Sequence, residues 1–288
     1  MQKLSLVFAA AAMTATLTAC PGARLPVVPQ PSELSGTVSL LKAKPGDSTT
    51  AVRFEKATWN LGEQPVKLAV LSSKSGLSGD GSAPAFIADG TVSAGGQLSL
   101  KLPQAVDAGV LSGLAWTDQA SWNKFLGLMG SECKGAQPTM SDPAAQGGIG
   151  VLLVTNQREG FLLAGPEPLL KYEGLKFSAS AQAGTVMYVD RPTTLSGTVT
   201  CAYDTSEATA ATDDLKVTYT VNLTLKRGWN SVVVSGGSQG QQSNSGDALT
   251  ISGNASLNLT SQRLPGGWMM PVAEQGSAAP LSISHLLN

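Results

Sequence analysis

From residue 33 onward, apolar and polar positions alternate with a period of two in short runs, each interrupted by glycine, proline or asparagine. A period of two puts every second side chain on one face of an extended strand, so the pattern predicts a β-rich chain. In the first half it predicts strands at Leu34 to Leu40, Ala51 to Trp59, Pro65 to Leu71 and Gln97 to Leu102. Pro45-Gly46-Asp47, Leu61-Gly62 and the glycine-rich stretch from Ser75 to Ser82 separate them, with Asp80-Gly81 and Asp89-Gly90 as hairpin-turn candidates. Between Ala105 and Gly130 the spacing changes. Val106, Val110, Leu111 and Leu114, then Trp122, Phe125, Leu126 and Met129, stand three and four apart and predict one or two short helices. Ser131 to Gly148 reads as a long loop. Strands resume at Ile149 to Asn156 and Glu159 to Ala164, and Gly165-Pro166-Glu167-Pro168 marks a boundary. Beyond it seven strands follow without a helix: Leu175 to Ala181, Thr185 to Asp190, Leu195 to Tyr203, Leu215 to Leu225, Trp229 to Ser235, Ala248 to Leu259 and Trp268 to Val272. Such a series makes a sandwich or a partly closed barrel. The expected fold is mainly β, with two antiparallel β-sandwich-like units at 33–165 and 166–288 and the short helices between them.

The first 32 residues are organised differently. Met1-Gln2-Lys3 gives a short positive start, Leu4 to Met13 is apolar, and Thr14 to Ala19 turns small and weakly polar, which is the order of regions in a secretory signal peptide. The apolar run is about half the ~20 residues that a membrane-crossing helix needs, so residues 1–19 are expected to be a removable leader. Leu17-Thr18-Ala19-Cys20 resembles the lipobox of bacterial lipoproteins, in which the cysteine becomes the first mature residue and its thiol carries a diacylglyceryl group. The resemblance implies lipidation at Cys20. Several acyl chains, at roughly 0.8 kcal/mol per buried methylene, hold a protein at a membrane where one chain does not. Pro21 stands after the cysteine where an aspartate would call for inner-membrane retention, so the resemblance implies the outer membrane or the outer cell surface, reached by general secretion. Pro21, Pro26, Pro29 and Pro31 then make residues 20–32 a semi-extended tether.

Composition narrows the partners. Without the leader, 18 basic residues (19 minus Lys3) face 20 acidic ones, and no basic cluster exists. Phosphate neutralisation needs clustered Lys and Arg, so nucleic acid is excluded as the expected partner. The membrane, through the N-terminal lipid, and envelope proteins or glycans remain. With Cys20 lipidated, the other two cysteines, Cys133 and Cys201, are left as a pair, and an oxidising compartment predicts a disulfide between them.

Leu34-Ser35-Gly36-Thr37-Val38-Ser39 recurs as Leu195-Ser196-Gly197-Thr198-Val199-Thr200, which suggests a related first strand in each half. Gly90 to Pro103 is similar to the closing strands of transthyretin-like or carboxypeptidase-regulatory-like envelope domains. Val186 to Arg191, Leu195 to Val199 and Leu223-Thr224-Leu225-Lys226-Arg227-Gly228-Trp229-Asn230 together resemble a set of bacterial envelope lipoproteins that share a Leu-Lys-x-Gly-Trp-Asn strand. That likeness implies location and fold and carries no activity with it.

Trp-Asn occurs at Trp59-Asn60, Trp122-Asn123 and Trp229-Asn230. Two readings exist: buried tryptophans followed by turn-forming asparagines, or Trp59, Trp122 and Trp229 as a stacking surface for a carbohydrate or apolar ligand. Gly236-Gly237-Ser238-Gln239-Gly240 matches Gly-x-Ser-x-Gly, with Asp247 and His285 following in hydrolase order. A nucleophile elbow needs a strand-to-helix turn, and this serine lies in a Ser/Gly/Gln tract that reads as a flexible hairpin loop. His285 is the only histidine, and Asp204, Glu207, Asp213 and Asp214 lack the ligand spacing of an EF-hand, so neither a metal nor another cofactor is expected. The sequence points to a lipid-anchored envelope protein, structural or binding and not an enzyme.

Overall fold

The computed structural model describes residues 28–45, 52–72, 85–114, 132–134, 138–155, 160–203, 215–245 and 248–272. Along them run β1 (Glu33–Pro45), β2 (Val52–Thr58), β3 (Gln64–Leu71), β4 (Ala85–Val92), β5 (Gln97–Lys101), β6 (Ser112–Gly113), β7 (Glu132–Lys134), β8 (Thr139–Met140), β9 (Gln146–Val154), β10 (Gly160–Ala164), β11 (Leu169–Glu173), β12 (Lys176–Val189), β13 (Thr193–Tyr203), β14 (Leu215–Leu225), β15 (Gly228–Ser245), β16 (Ala248–Ser261) and β17 (Trp268–Val272). The protein is mainly β, and no helix occurs among the described residues.

Seven of these strands close a ring. β1 pairs with β5, β5 with β4, β4 with β3, β3 with β9, β9 with β10 and β10 with β17, all antiparallel, and β17 returns to β1 as a parallel neighbour. The alternation fills the ring. Leu34, Val38 and Leu40 of β1, Val66, Leu68 and Val70 of β3, Leu98 and Leu100 of β5, Leu152 of β9 and Met270 of β17 join one buried cluster. Between them Gln97, Ser99 and Lys101 of β5 face solvent. Each fully buried aliphatic side chain contributes about 1.5–3 kcal/mol, so this buried cluster is what holds the ring together. β17, from the far end of the chain, completes a barrel whose other strands all precede residue 165.

Six further strands continue the sheet through β12, which pairs with β9 and β10, in the order β11-β12-β15-β16-β14-β13, with β14 and β16 parallel. β12 is the shared wall. Val186 and Tyr188 point into the barrel cluster, whereas Met187 and Val189 join Leu195, Leu223, Leu225 and Leu259 in a second core. One strand can serve both because successive side chains point to opposite faces. Val199, Cys201, Leu215, Val217 and Tyr219 form a third cluster on β13 and β14.

Several local expectations need correction. The apolar positions from Val106 to Leu114 belong to a turn and the short strand β6, not a helix: Asp107 accepts the Gly109 amide at 2.6 Å on its carboxylate, and its carbonyl accepts the Val110 amide at 3.1 Å. This turn lets Val106 and Leu111 reach the barrel core and Leu114 the second core. Trp122, Phe125, Leu126 and Met129 lie outside the described residues. Asp89-Gly90 is not a hairpin turn but the middle of β4, where Asp89 pairs with Lys67 at 2.9 Å and a Cβ on Gly90 would come within 2.6 Å of the Leu100 Cβ. The glycine answers a close strand approach. Leu175 to Ala181 and Thr185 to Asp190 merge into one strand, β12. The tract from Ser235 onward is no hairpin loop but continues β15 to Ser245, because β16 pairs with it along that whole length and β12 pairs with its other edge as far as Gln241.

Candidate functional site

The tryptophans occupy the cores. Trp59, Trp229 and Trp268 are all buried in the barrel cluster. Each indole N–H has a carbonyl acceptor: Trp59 donates to Gly62 at 2.7 Å, Trp229 to Pro103 at 2.8 Å and Trp268 to Ser35 at 3.1 Å. Tyr188 meets Trp229 edge to face, with ring centroids 5.3 Å apart. No ring face of Trp59 or Trp229 is left for a ligand, and Trp122 lies outside the described residues.

The Leu-Lys-x-Gly-Trp-Asn run is the hairpin that joins β14 to β15. Leu225 is buried, Gly228 adopts φ +98°, and Trp229 turns inward. A positive φ in that range suits glycine, which has no Cβ to clash. Buried Asn230 then closes the turn on itself. Its Oδ1 accepts the Lys226 amide at 2.8 Å, and its Nδ2 donates to the carbonyls of Lys226 at 2.7 Å and Gly228 at 2.9 Å. The motif is accounted for by folding geometry. The same turn receives the end of the proline-rich segment: Gln30 Nε2 donates to the Arg227 carbonyl at 2.7 Å and to that of Trp229 at 3.1 Å.

Cys201 is buried in β13, and its register partner on β7 is Cys133. Ser238 lies mid-strand in β15, opposite Ala179 of β12 and Ala255 of β16. No strand-to-helix turn surrounds it. Asp247, His285, Asp204, Glu207, Asp213 and Asp214 lie outside the described residues, as does Cys20. Among the described residues no three His, Cys, Asp or Glu side chains gather where they could hold a metal ion. Among the described residues Lys44, through a hydrogen bond and ion pair across β1 and β2, holds the Glu55 carboxylate below its usual range.

An open groove of about 470 Å³ runs across β11, β12, β15 and β16. Register partners share a face of a sheet. Lys171, Ser178, Gln239 and Asn254 therefore form one row across the four strands, and Glu173, Lys176, Gln241 and Ser252 the next. All eight line the groove. Phe177 lies between the rows on β12 and is turned to the opposite face, where its ring comes within 2.9 Å of where a Gly240 Cβ would stand. Sequence reasoning missed this constellation because Ser235 to Gly246 has a loop's composition. Its one trace in the sequence is a polar tract flanked by runs of strand character.

No family model, curated protein or solved structure matches the chain.

Proposed function

We propose that the mature protein begins at Cys20, is acylated there, and works as a binding or structural component of the cell envelope, at the outer membrane or outer cell surface. The observation that carries this reading is Leu17-Thr18-Ala19-Cys20, placed at the end of a charged, then apolar, then small-residue leader. The attachment of Gln30 to the turn at Arg227 and Trp229 supports it, because a chain anchored at residue 20 would then hold the folded body by a defined end. A short leash of ~3 Å per residue between Cys20 and Gln30 leaves that end within roughly 30 Å of the lipid.

The same reading includes a Cys133–Cys201 disulfide. Directly opposite residues of an antiparallel pair have Cα atoms about 4.5–5.5 Å apart, inside the roughly 4.4–6.8 Å that a disulfide spans. Mass spectrometry of the native protein tests the anchor. The expected N-terminal peptide starts at Cys20 and carries a thioether-linked diacylglyceryl group. An unacylated N-terminus beyond residue 20, or an intact leader in the cytosol, would overturn the proposal.

A further inference from the structure

We propose that the groove across β11, β12, β15 and β16 binds an extended, neutral, hydroxyl-rich polymer, that is, a glycan chain lying across the strands. This deepens the binding reading above and rests on it only for where the glycan is met.

Three observations point to that occupant. The first is the chemistry of the surface. Gln239, Gln241, Asn254, Ser178 and Ser252 present amide and hydroxyl groups that both donate and accept, the pairing that sugar hydroxyls require. Lys171 and Lys176 stand near one acid, Glu173, so the floor offers no concentrated charge to an anionic or cationic polymer. Beyond the groove the row of Gln239 and Asn254 runs on to Lys216 of β14, while the two rows beside it are uncharged: Ser180, Ser256, Thr218 and Thr200 in one, and Gln182, Ser235, Asn258, Thr220 and Thr198 in the next. Strand spacing of about 4.8 Å repeats this chemistry at close to the length of one sugar residue in an extended chain.

The second observation is shape. A solvated outer face is the ordinary fate of an antiparallel sheet, and alone it asks for no ligand. Here the face dips into an open recess of about 470 Å³, room for a chain to lie along it with one side in solvent.

The third is that this part of the sheet buries little apolar surface, the contact of buried Phe177 of β12 with Gly240 being the exception. β15 gives its last core side chain at Val234, yet it stays paired on both sides through Gln241. Ordering each residue costs about 1–2 kcal/mol of backbone entropy, and the seven residues from Ser235 to Gln241 add no side chain to any of the three apolar clusters. An extension of this kind is explained by what it presents. It also lies far from the anchor: Gln241 is thirteen residues along β15 from Gly228, ~43 Å at about 3.3 Å per residue, while Gln30 holds the Gly228 end.

The test is affinity electrophoresis of the secreted chain without its lipid, in gels containing dextran, mannan or a β-glucan, repeated with heparin as the anionic control. The expected result is retardation by at least one neutral polymer, unaffected by moderate salt. Gln239→Ala with Asn254→Ala should weaken it at least tenfold, whereas Lys101→Ala on the barrel should leave it unchanged. Far-UV circular dichroism of the double variant verifies its fold, and Ser178→Trp, which fills the groove from an exposed position, gives a second route to the same loss. Retardation by none of the neutral polymers, by heparin alone, or equally in wild type and both groove variants overturns the proposal. Acylation at Cys20 is read separately by mass, so an acylated protein that ignores glycans would refute the groove and leave the anchor standing.

Discussion

Closure of the barrel by β17 can be tested at one pair of residues. Met270 of β17 is 1% exposed, and its side chain lies over Gly160 of β10, where a Cβ would stand 2.5 Å from the methionine Cε and 3.3 Å from its Cγ. Met270→Ala empties that space, and large-to-small changes of this type in a core cost about 2–5 kcal/mol. Gly160→Ala alone overfills it. The clash is with the free end of a flexible side chain, so the cost belongs near the ~1 kcal/mol floor for overpacking, and loss of glycine's freedom in the unfolded chain offsets part of it. In the double variant the alanine methyl occupies volume that the methionine has left. The pair should therefore be less destabilised than the sum of the single variants by about 1 kcal/mol or more. Equilibrium urea unfolding of the unlipidated chain, followed by far-UV circular dichroism, measures all four corners of the cycle. Additivity within about 0.5 kcal/mol would mean that the two residues do not touch. A Met270→Ala cost below ~1 kcal/mol would mean that β17 does not seal the ring, and the reasoning from strand pairing to a closed core would fail.

Other outcomes follow from single contacts. Asn230→Ala removes three hydrogen bonds from the turn at Lys226 and Gly228, and at about 1 kcal/mol each it should cost roughly 2–3 kcal/mol in thermal or urea unfolding; a loss under ~0.5 kcal/mol would contradict the clamp. Reducing the proposed Cys133–Cys201 bond, or replacing Cys133 by serine, opens a loop of 68 residues (201 minus 133) and should cost about 4 kcal/mol; a melting temperature insensitive to reductant would show that no bridge exists. Gln30→Ala should speed proteolysis between residues 21 and 32 without altering the melting of the barrel, and unchanged cleavage would count against the latch. Lys44 lowers the Glu55 pKa, so the stability from this ion pair is present above the unfolded-state carboxylate range and is lost as pH falls through the folded value. Glu55→Gln should accordingly be slightly less stable than wild type at neutral pH and converge with it in acid; a gap that stayed constant across that range would rule out the charge as its source.

Most strand positions were legible because alternation is a local signal. β14 runs from Leu215 to Leu225, as its alternation predicts, since every second side chain is buried, and β17 runs from Trp268 to Val272, where Trp268, Met269 and Met270 are all buried just after Pro265-Gly266-Gly267. Where the pattern misleads, tertiary contacts override local preference. Gly90 sits inside β4 because Leu100 crowds it, and the polar run after Ser235 is extended because strands flank it on both sides. The buried tryptophans fit the packing reading of Trp-Asn, whereas the role of Asn230 as a turn clamp became visible only from its three partners.

The amino-acid order by itself determined a β-rich chain, and it carries the Leu17-Thr18-Ala19-Cys20 pattern and the scattered basic residues on which the expectations of a lipid anchor and against nucleic acid rest. These are properties of neighbouring residues and of sums over the chain, and they need no partner from elsewhere. Only the tertiary structure decided that Val38 lies beside Trp268, that Cys133 lies opposite Cys201, and that Gln239 and Asn254 share a row with Ser178. Pairing between distant segments is fixed by which apolar faces can be buried together. That is a property of the whole core, and no single stretch of sequence encodes it.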